Sequence, residues 1–449
     1  MMRIARSAAL AAALFMTPAV GHAQTLPAQT LPPPQHDHAA HGSTWTFMQD
    51  GVVFFNINHQ GSPRGGDELA VQNWWMGMVQ RHAAGGTLRV SLMLSLEPAT
   101  LGRDGYREIF QVGETFDDLP LIDRQHPHDF LMQAAVAWRK GLGRGYSLTL
   151  AGAPVGEPAL GPVAFMHRAS AFENPTAPLG HHTFDSTHIA MGVLTAGVDR
   201  GPWSAEGSIF HGEEPDEQRW DLMDPGPLDS WSVRGWYFPN DAWSFQVSHG
   251  FLETPEASEP GDVRRTTASG SWMRKRAGGW TAATVAYGRN NKIGGDFNAF
   301  LAEATHTFGR NAVYGRFESL QVEGDVLRFG VHTILSARGA PPPLALARRL
   351  RASLGPQALP GSKARAHAHV PETGEGRELV SALTVGGART LATPRGWDIG
   401  AGVDVTFYGV PEALRPIYGS SPVSFHVFLR LRPPAPMGRM LETTLAGRH

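Results

Sequence analysis

Apolar and polar residues alternate in short runs along most of the chain. In SPVSFHVFLRLRP, Val423, Phe425, Val427, Leu429 and Leu431 form one face, and Ser424, His426, Phe428, Arg430 and Arg432 the other. In GWDIGAGVDVTFYG, Ile399, Ala401, Val403, Val405 and Phe407 oppose Asp398, Asp404, Thr406 and Tyr408. TLRVSLMLSLE sets Leu88, Val90, Leu92, Leu94 and Leu96 against Arg89, Ser91, Met93 and Ser95. A period of two is that of a β-strand, whose side chains point alternately to opposite faces. A strand with one wholly apolar face and one charged face needs hydrocarbon on one side and water or paired charge on the other. The core of a soluble sandwich does not offer that.

The pattern predicts strands over 44–59, 69–81, 86–97, 130–140, 144–153, 186–199, 202–211, 229–238, 241–252, 262–276, 279–289, 297–308, 311–322, 378–392, 396–408 and 421–432. The gaps between them alternate in length. HAAG (82–85), GLG (141–143), RG (200–201), PN (239–240), AG (277–278), GR (309–310) and TPR (393–395) are short, and most of the gaps between these are longer. Tryptophan keeps the same phase: Trp203, Trp243, Trp280 and Trp397 follow short turns closely, and Trp138 and Trp272 precede them. Short turns, longer opposing loops and an aromatic ring at one depth are features of an outer-membrane barrel. The expected fold is all-β, a transmembrane antiparallel β-barrel of about 16 strands with long outer loops and short periplasmic turns. The competing expectation is a soluble secreted all-β protein that binds metal.

On these segments the chain resembles bacterial outer-membrane β-barrels across residues 44–432. DRQHPHD, GEPALGPVAFMHR, PLGHHTFDSTHI and EEPDEQR are similar to segments of uncharacterised exported proteins of Gram-negative bacteria, some encoded near metal-resistance genes. The resemblance implies an address in the cell outer membrane, contact with its lipid, handling by the barrel-assembly machinery, and a loose connection to metal. Barrels of this type usually finish on an aromatic residue, whereas here PAPMGRMLETTLAGRH follows the last strand.

The ends fit export. Arg3 and Arg6, an apolar run from Ala8 to Met16, and small residues before Gln24 read as a signal peptide over 1–23. Residues 24–43 read as a disordered His/Pro-rich periplasmic tail, 323–377 as a long outer loop, and 433–449 as a C-terminal tail. With no cysteine, a disulfide scaffold and thiol chemistry are excluded. A net charge of -2 argues against a nucleic-acid partner.

Three predicted outer segments carry His126 and His128, then His167, His181, His182 and His188, then His211. Neighbouring loops of a barrel can meet, so these imidazoles can share a site. Asp123, Asp129 and Asp185 could accept their second ring N–H groups. Imidazole with carboxylate suits Cu, Zn or Ni, and His36, His38 and His41 could bind such an ion without a fold. No spacing matches a known ligand motif, so a mouth narrowed by packed loops is the bland alternative. The other alternative is a hydrolase acting on lipid or glycan through Ser186 and its neighbouring histidines. Alternation assigns Glu206, Arg234, Arg316, Glu318, Asp398, Asp404, Arg430 and Arg432 to the lumen. The expected function is a channel or transport barrel for a small solute or metal ion, with a His-rich extracellular mouth.

Overall fold

The computed structural model describes residues 45–117, 119–185, 190–224, 226–256, 261–324, 326–328 and 377–435. The expected signal peptide, the tail with His36, His38 and His41, His188 with Ser186, most of the long loop 323–377 and nearly all of 433–449 lie outside the described residues. Sixteen strands form the wall. They are β1 (Thr46–Gln60), β2 (Gly66–Ala83), β3 (Gly86–Leu94), β4 (Leu131–Gly143), β5 (Tyr146–Gly156), β6 (Ala190–Arg200), β7 (Trp203–His211) and β8 (Ser230–Asn240). They continue with β9 (Trp243–Leu252), β10 (Val263–Arg276), β11 (Gly279–Lys292), β12 (Gly295–Phe308), β13 (Asn311–Glu323), β14 (Arg377–Ala392), β15 (Asp398–Gly409) and β16 (Val423–Arg432).

Each strand pairs antiparallel with its neighbours in sequence, and β16 closes the ring on β1, with Val53 opposite Leu431 and Phe55 opposite Leu429. Closure leaves the sheet no free edge. The alternation fixes the faces. Leu92, Phe407, Val427 and Leu429 are exposed on the outside, while Ser424, His426, Phe428, Arg430 and Arg432 are buried within. An apolar outer belt around a polar interior is the arrangement a bilayer demands of a spanning sheet. Most predicted bounds lie within a few residues of the observed ones. The third strand stops early, at Leu94, because Glu97–Thr100 turns into one helical turn with proline near its start.

At the short-turn end Trp203 stacks on Tyr237 at 4.3 Å, and Trp243 meets Trp272 at 6.3 Å. Trp280 departs from the expected girdle. Its ring meets Phe172 at 5.7 Å, and Phe172 belongs to the segment connecting β5 to β6.

That segment, together with the one joining β3 to β4, folds back into the barrel as a plug. Its short helical turns are Phe165–His167, Ala169–Ala171 and His181–Phe184. The wall grips it with charge. Arg168 Nε donates to Glu303 at 2.7 Å and its Nη1 to Asp185 at 2.8 Å, with both partners buried. Glu173 pairs with Arg430 and Arg432, and the Arg432 guanidinium lies 3.6 Å from the centre of the Phe172 ring. Arg316 donates to the Thr176 carbonyl at 2.8 Å, and Arg234 to the Gly161 carbonyl at 3.1 Å. Ile109, Phe110, Leu179, Phe184 and Tyr418 add an apolar core between the loops and the wall. Gly288 on β11 permits close approach, since a Cβ there would stand 2.5 Å from the Thr183 carbonyl oxygen and 2.8 Å from Phe184 Cβ.

Candidate metal centre

The two histidines of DRQHPHD flank Pro127 in the irregular stretch just before β4, and both are buried. The helical turn His181–Phe184 brings two more from the other side of the plug. The His126 ring lies 6.2 Å from that of His181 and 5.8 Å from that of His182, and the His181 and His182 rings are 4.1 Å apart. A nitrogen from each of His126, His181 and His182 falls within 4.8 Å of the others. Glu114, His182 and Glu214 form a second such group, sharing His182 with the first. The centre thus joins the loop before β4, the plug turn and the loop after β7.

Carboxylates surround it. His126 Nε2 is 3.4 Å from Glu114, and His182 Nδ1 is 3.5 Å from Glu214 and 3.3 Å from Glu256. Burial alone would lower the His182 pKa, but Glu256 and Glu214 hold it well above its ordinary value. Burial, with Glu256 alongside, pushes the Glu214 carboxyl up to about 8, against the pull of His182. Arg219 steadies the rim by donating to Glu114 and Asp129, each at 3.1 Å. Gly113, at a φ of +132°, packs on His182, because a Cβ there would come within 2.8 Å of the ring.

The remaining expected residues go elsewhere. His128 binds Glu97 through both its backbone N–H (2.9 Å) and Nδ1 (2.8 Å), and its ring is 6.0 Å from that of His126. His211 pairs with Asp229 at 3.1 Å. Among the described residues, the three aspartates are engaged by arginines, a backbone N–H and a tyrosine hydroxyl instead of imidazole. Asp123 accepts from the Phe110 N–H at 2.8 Å and the Tyr418 hydroxyl at 3.1 Å, and pairs with Arg64 at 2.6 Å. It serves a turn in which Phe110 sits at a φ of +72°. Asp129 belongs to Arg219; burial pushes it up to about 6 and Arg219 draws it back. Asp185 belongs to Arg168. Glu97, Glu114, Glu214 and Glu256 take the places beside His126, His128 and His182. Of these only Glu214 stood out in the sequence, from the run EEPDEQR.

The eight residues assigned to the lumen are engaged inside the barrel. Glu206 pairs with Arg234 at 2.9 Å, Arg316 lies 3.7 Å from Glu318, and Asp398 meets Arg430 at 3.2 Å. Asp404 accepts from the Tyr314 hydroxyl at 2.8 Å and lies 2.7 Å from His426 Nδ1. Arg234, Arg316, Arg430 and Arg432 also hold the plug, so at its depth the wall charges face protein instead of open water. Below the plug, toward the short turns, a cavity remains, lined by Ser204, Glu206, Trp236 and Ser271 among others.

Comparison with solved structures returns other barrels. An anion-selective porin from Comamonas acidovorans aligns over 87% of this chain and 100% of its own, with TM-score 0.48 and 9% identity. The loop L8 deletion mutant of OmpT from Vibrio cholerae covers 87% and 99%, with TM-score 0.46 and 7% identity. Salmonella typhi OmpF, in a complex with daunomycin, covers 86% and 97%, with TM-score 0.46 and 8% identity. No protein-family model matches the chain, and neither does any curated protein. The continuous ladder and the apolar outer belt place the chain in the class of outer-membrane β-barrels.

Proposed function

We propose that this protein is an outer-membrane transport barrel closed by an internal plug, and that the plug carries a divalent-metal site built from His126, His181, His182, Glu114 and Glu214. The observation that supports the site is the meeting of three imidazoles and two carboxylates, all at most slightly exposed, from three separate loops. Such a donor set suits Zn(II), Cu(II) or Ni(II). A divalent cation there would place positive charge between Glu214 and Glu256, the two carboxylates that flank His182. Because it would bridge three loops, its arrival or loss would change how firmly the plug is seated. The solute that crosses is a metal ion or a small molecule whose passage the plug controls.

The test uses full-length protein carrying His36→Ala, His38→Ala and His41→Ala, so that the N-terminal histidines do not contribute. Calorimetric titration with Zn(II), Cu(II) and Ni(II), with elemental analysis after dialysis, should find one site that disappears in His126→Ala/His181→Ala. Equal binding with and without these two imidazoles would leave them as packing within the plug.

A further inference from the structure

Nine methionines lie between residues 45 and 435, and eight of them form one cluster. Met76, Met78, Met93, Met132 and Met191 are buried on the inner face of the wall, and Met48, Met166 and Met223 pack against them. Only Met273 stands apart, in a different cluster. The register explains how the wall collects them. Met48 lies opposite Met78, and Met76 opposite Met93, across consecutive strand pairs. Met132 sits where the β3–β4 register shifts between Met93 and Leu94, so the irregularity falls within the cluster. Met166 comes from the plug, so the thioethers line the boundary between plug and wall.

Methionine is a good filler of irregular gaps because its chain is flexible. A filler, however, should appear wherever the plug meets the wall, and the opposite side uses Phe184, Leu301, Leu320 and Val380 instead. Several thioethers converging from separate elements, without cysteine, form a neutral soft donor set, which selects a cuprous ion over harder divalent ions. A cavity lined by His128 and Phe165 reaches Met166 and also Trp74, which packs against the methionines.

We infer that the methionine wall between β1 and β6 is a binding site for a soft monovalent cation, Cu(I) or its redox-inert counterpart Ag(I), separate from the histidine centre. It does not depend on that centre, because a thioether has no proton to lose and its affinity does not follow imidazole ionisation. Met76, Met93 and Met132 are the residues on which binding should rest most.

The experiment titrates Ag(I), in chloride-free buffer, into the full-length protein at pH 7.5 and again at pH 5, where most imidazoles are protonated. Binding should persist at the lower pH, and silver-edge absorption should show a sulfur shell. Met76→Leu/Met93→Leu/Met132→Leu, a volume-conserving change that should leave the fold intact, should weaken binding about tenfold or more, the scale on which metal sites respond to lost support. Met273→Leu should leave it unchanged. A shell without sulfur in the unmutated protein, or binding that vanishes at pH 5, would overturn the assignment. So would equal affinity in the triple variant.

Discussion

Arg168→Met is the substitution that most sharply separates a seated plug from a loosely resting loop. The Arg168 guanidinium is buried between two buried carboxylates, at 2.7 Å from Glu303 and 2.8 Å from Asp185. Methionine preserves much of the volume but strands both acids. Removing one partner of a buried ion pair typically costs about 3–5 kcal/mol. Proton uptake relieves part of this: burial already raises the Asp185 pKa, and losing Arg168 would raise it further. A net cost of about 3 kcal/mol corresponds to a shift of roughly 150-fold between inserted and displaced plug. The strands keep their ladder, so the barrel itself should survive. Hydrogen exchange should therefore quicken across 157–185 by up to that factor while β6 to β12 amides stay protected, and bilayer conductance should rise. Adding Glu303→Gln should recover part of the loss, because one stranded charge is gone. Unchanged exchange and conductance in Arg168→Met would refute the idea that this ion triad seats the plug.

Leu92→Arg on the outer face should destabilise the barrel by roughly 2–4 kcal/mol near mid-membrane, whereas Ser204→Arg, facing the cavity below the plug, should cost little; urea titration in detergent compares them. Gly288→Val should unseat the turn His181–Phe184 at a cost of about 1–3 kcal/mol, read as lost protection of that turn with the barrel intact. Burial pushes Glu108 up to about 8, with Arg316 pulling it down and Glu318 pushing it up. Its proton is held in the folded state and lost on unfolding, so its contribution is full below about 4.5 and falls as pH rises toward 8. Glu108→Gln should flatten that slope in thermal melts between pH 5 and pH 9.

The wall was legible because its signal is periodic. Leu429 and Arg430 announce opposite faces by position alone, and a slip of one residue would have exchanged every such pair. The plug was not legible, because a loop has no period and nothing in GEPALGPVAFMHR says whether it turns outward or inward. The single cue was composition: Leu160, Val163, Phe165, Met166 and Phe172 are too apolar for a solvated outer loop. The histidines could be gathered at one mouth from topology, and His126, His181 and His182 do meet. Their carboxylate partners could not be read, since adjacency favoured Asp123, Asp129 and Asp185. Loop arginines, Arg64, Arg219 and Arg168, claimed those, and Glu114 and Glu256 reached the site from elsewhere in the chain. The inward turn of Trp280 has the same origin, because its partner, Phe172, belongs to the plug.

The proposed metal centre draws its ligands from three loops. Zinc-edge X-ray absorption on the full-length protein with His36, His38 and His41 replaced by alanine tests it most directly. The expected result is a low-coordinate shell of nitrogen and oxygen with imidazole scattering from three histidines, lost in His126→Ala/His181→Ala. A zinc shell of water and carboxylate alone, or one unchanged by removing those imidazoles, would contradict it.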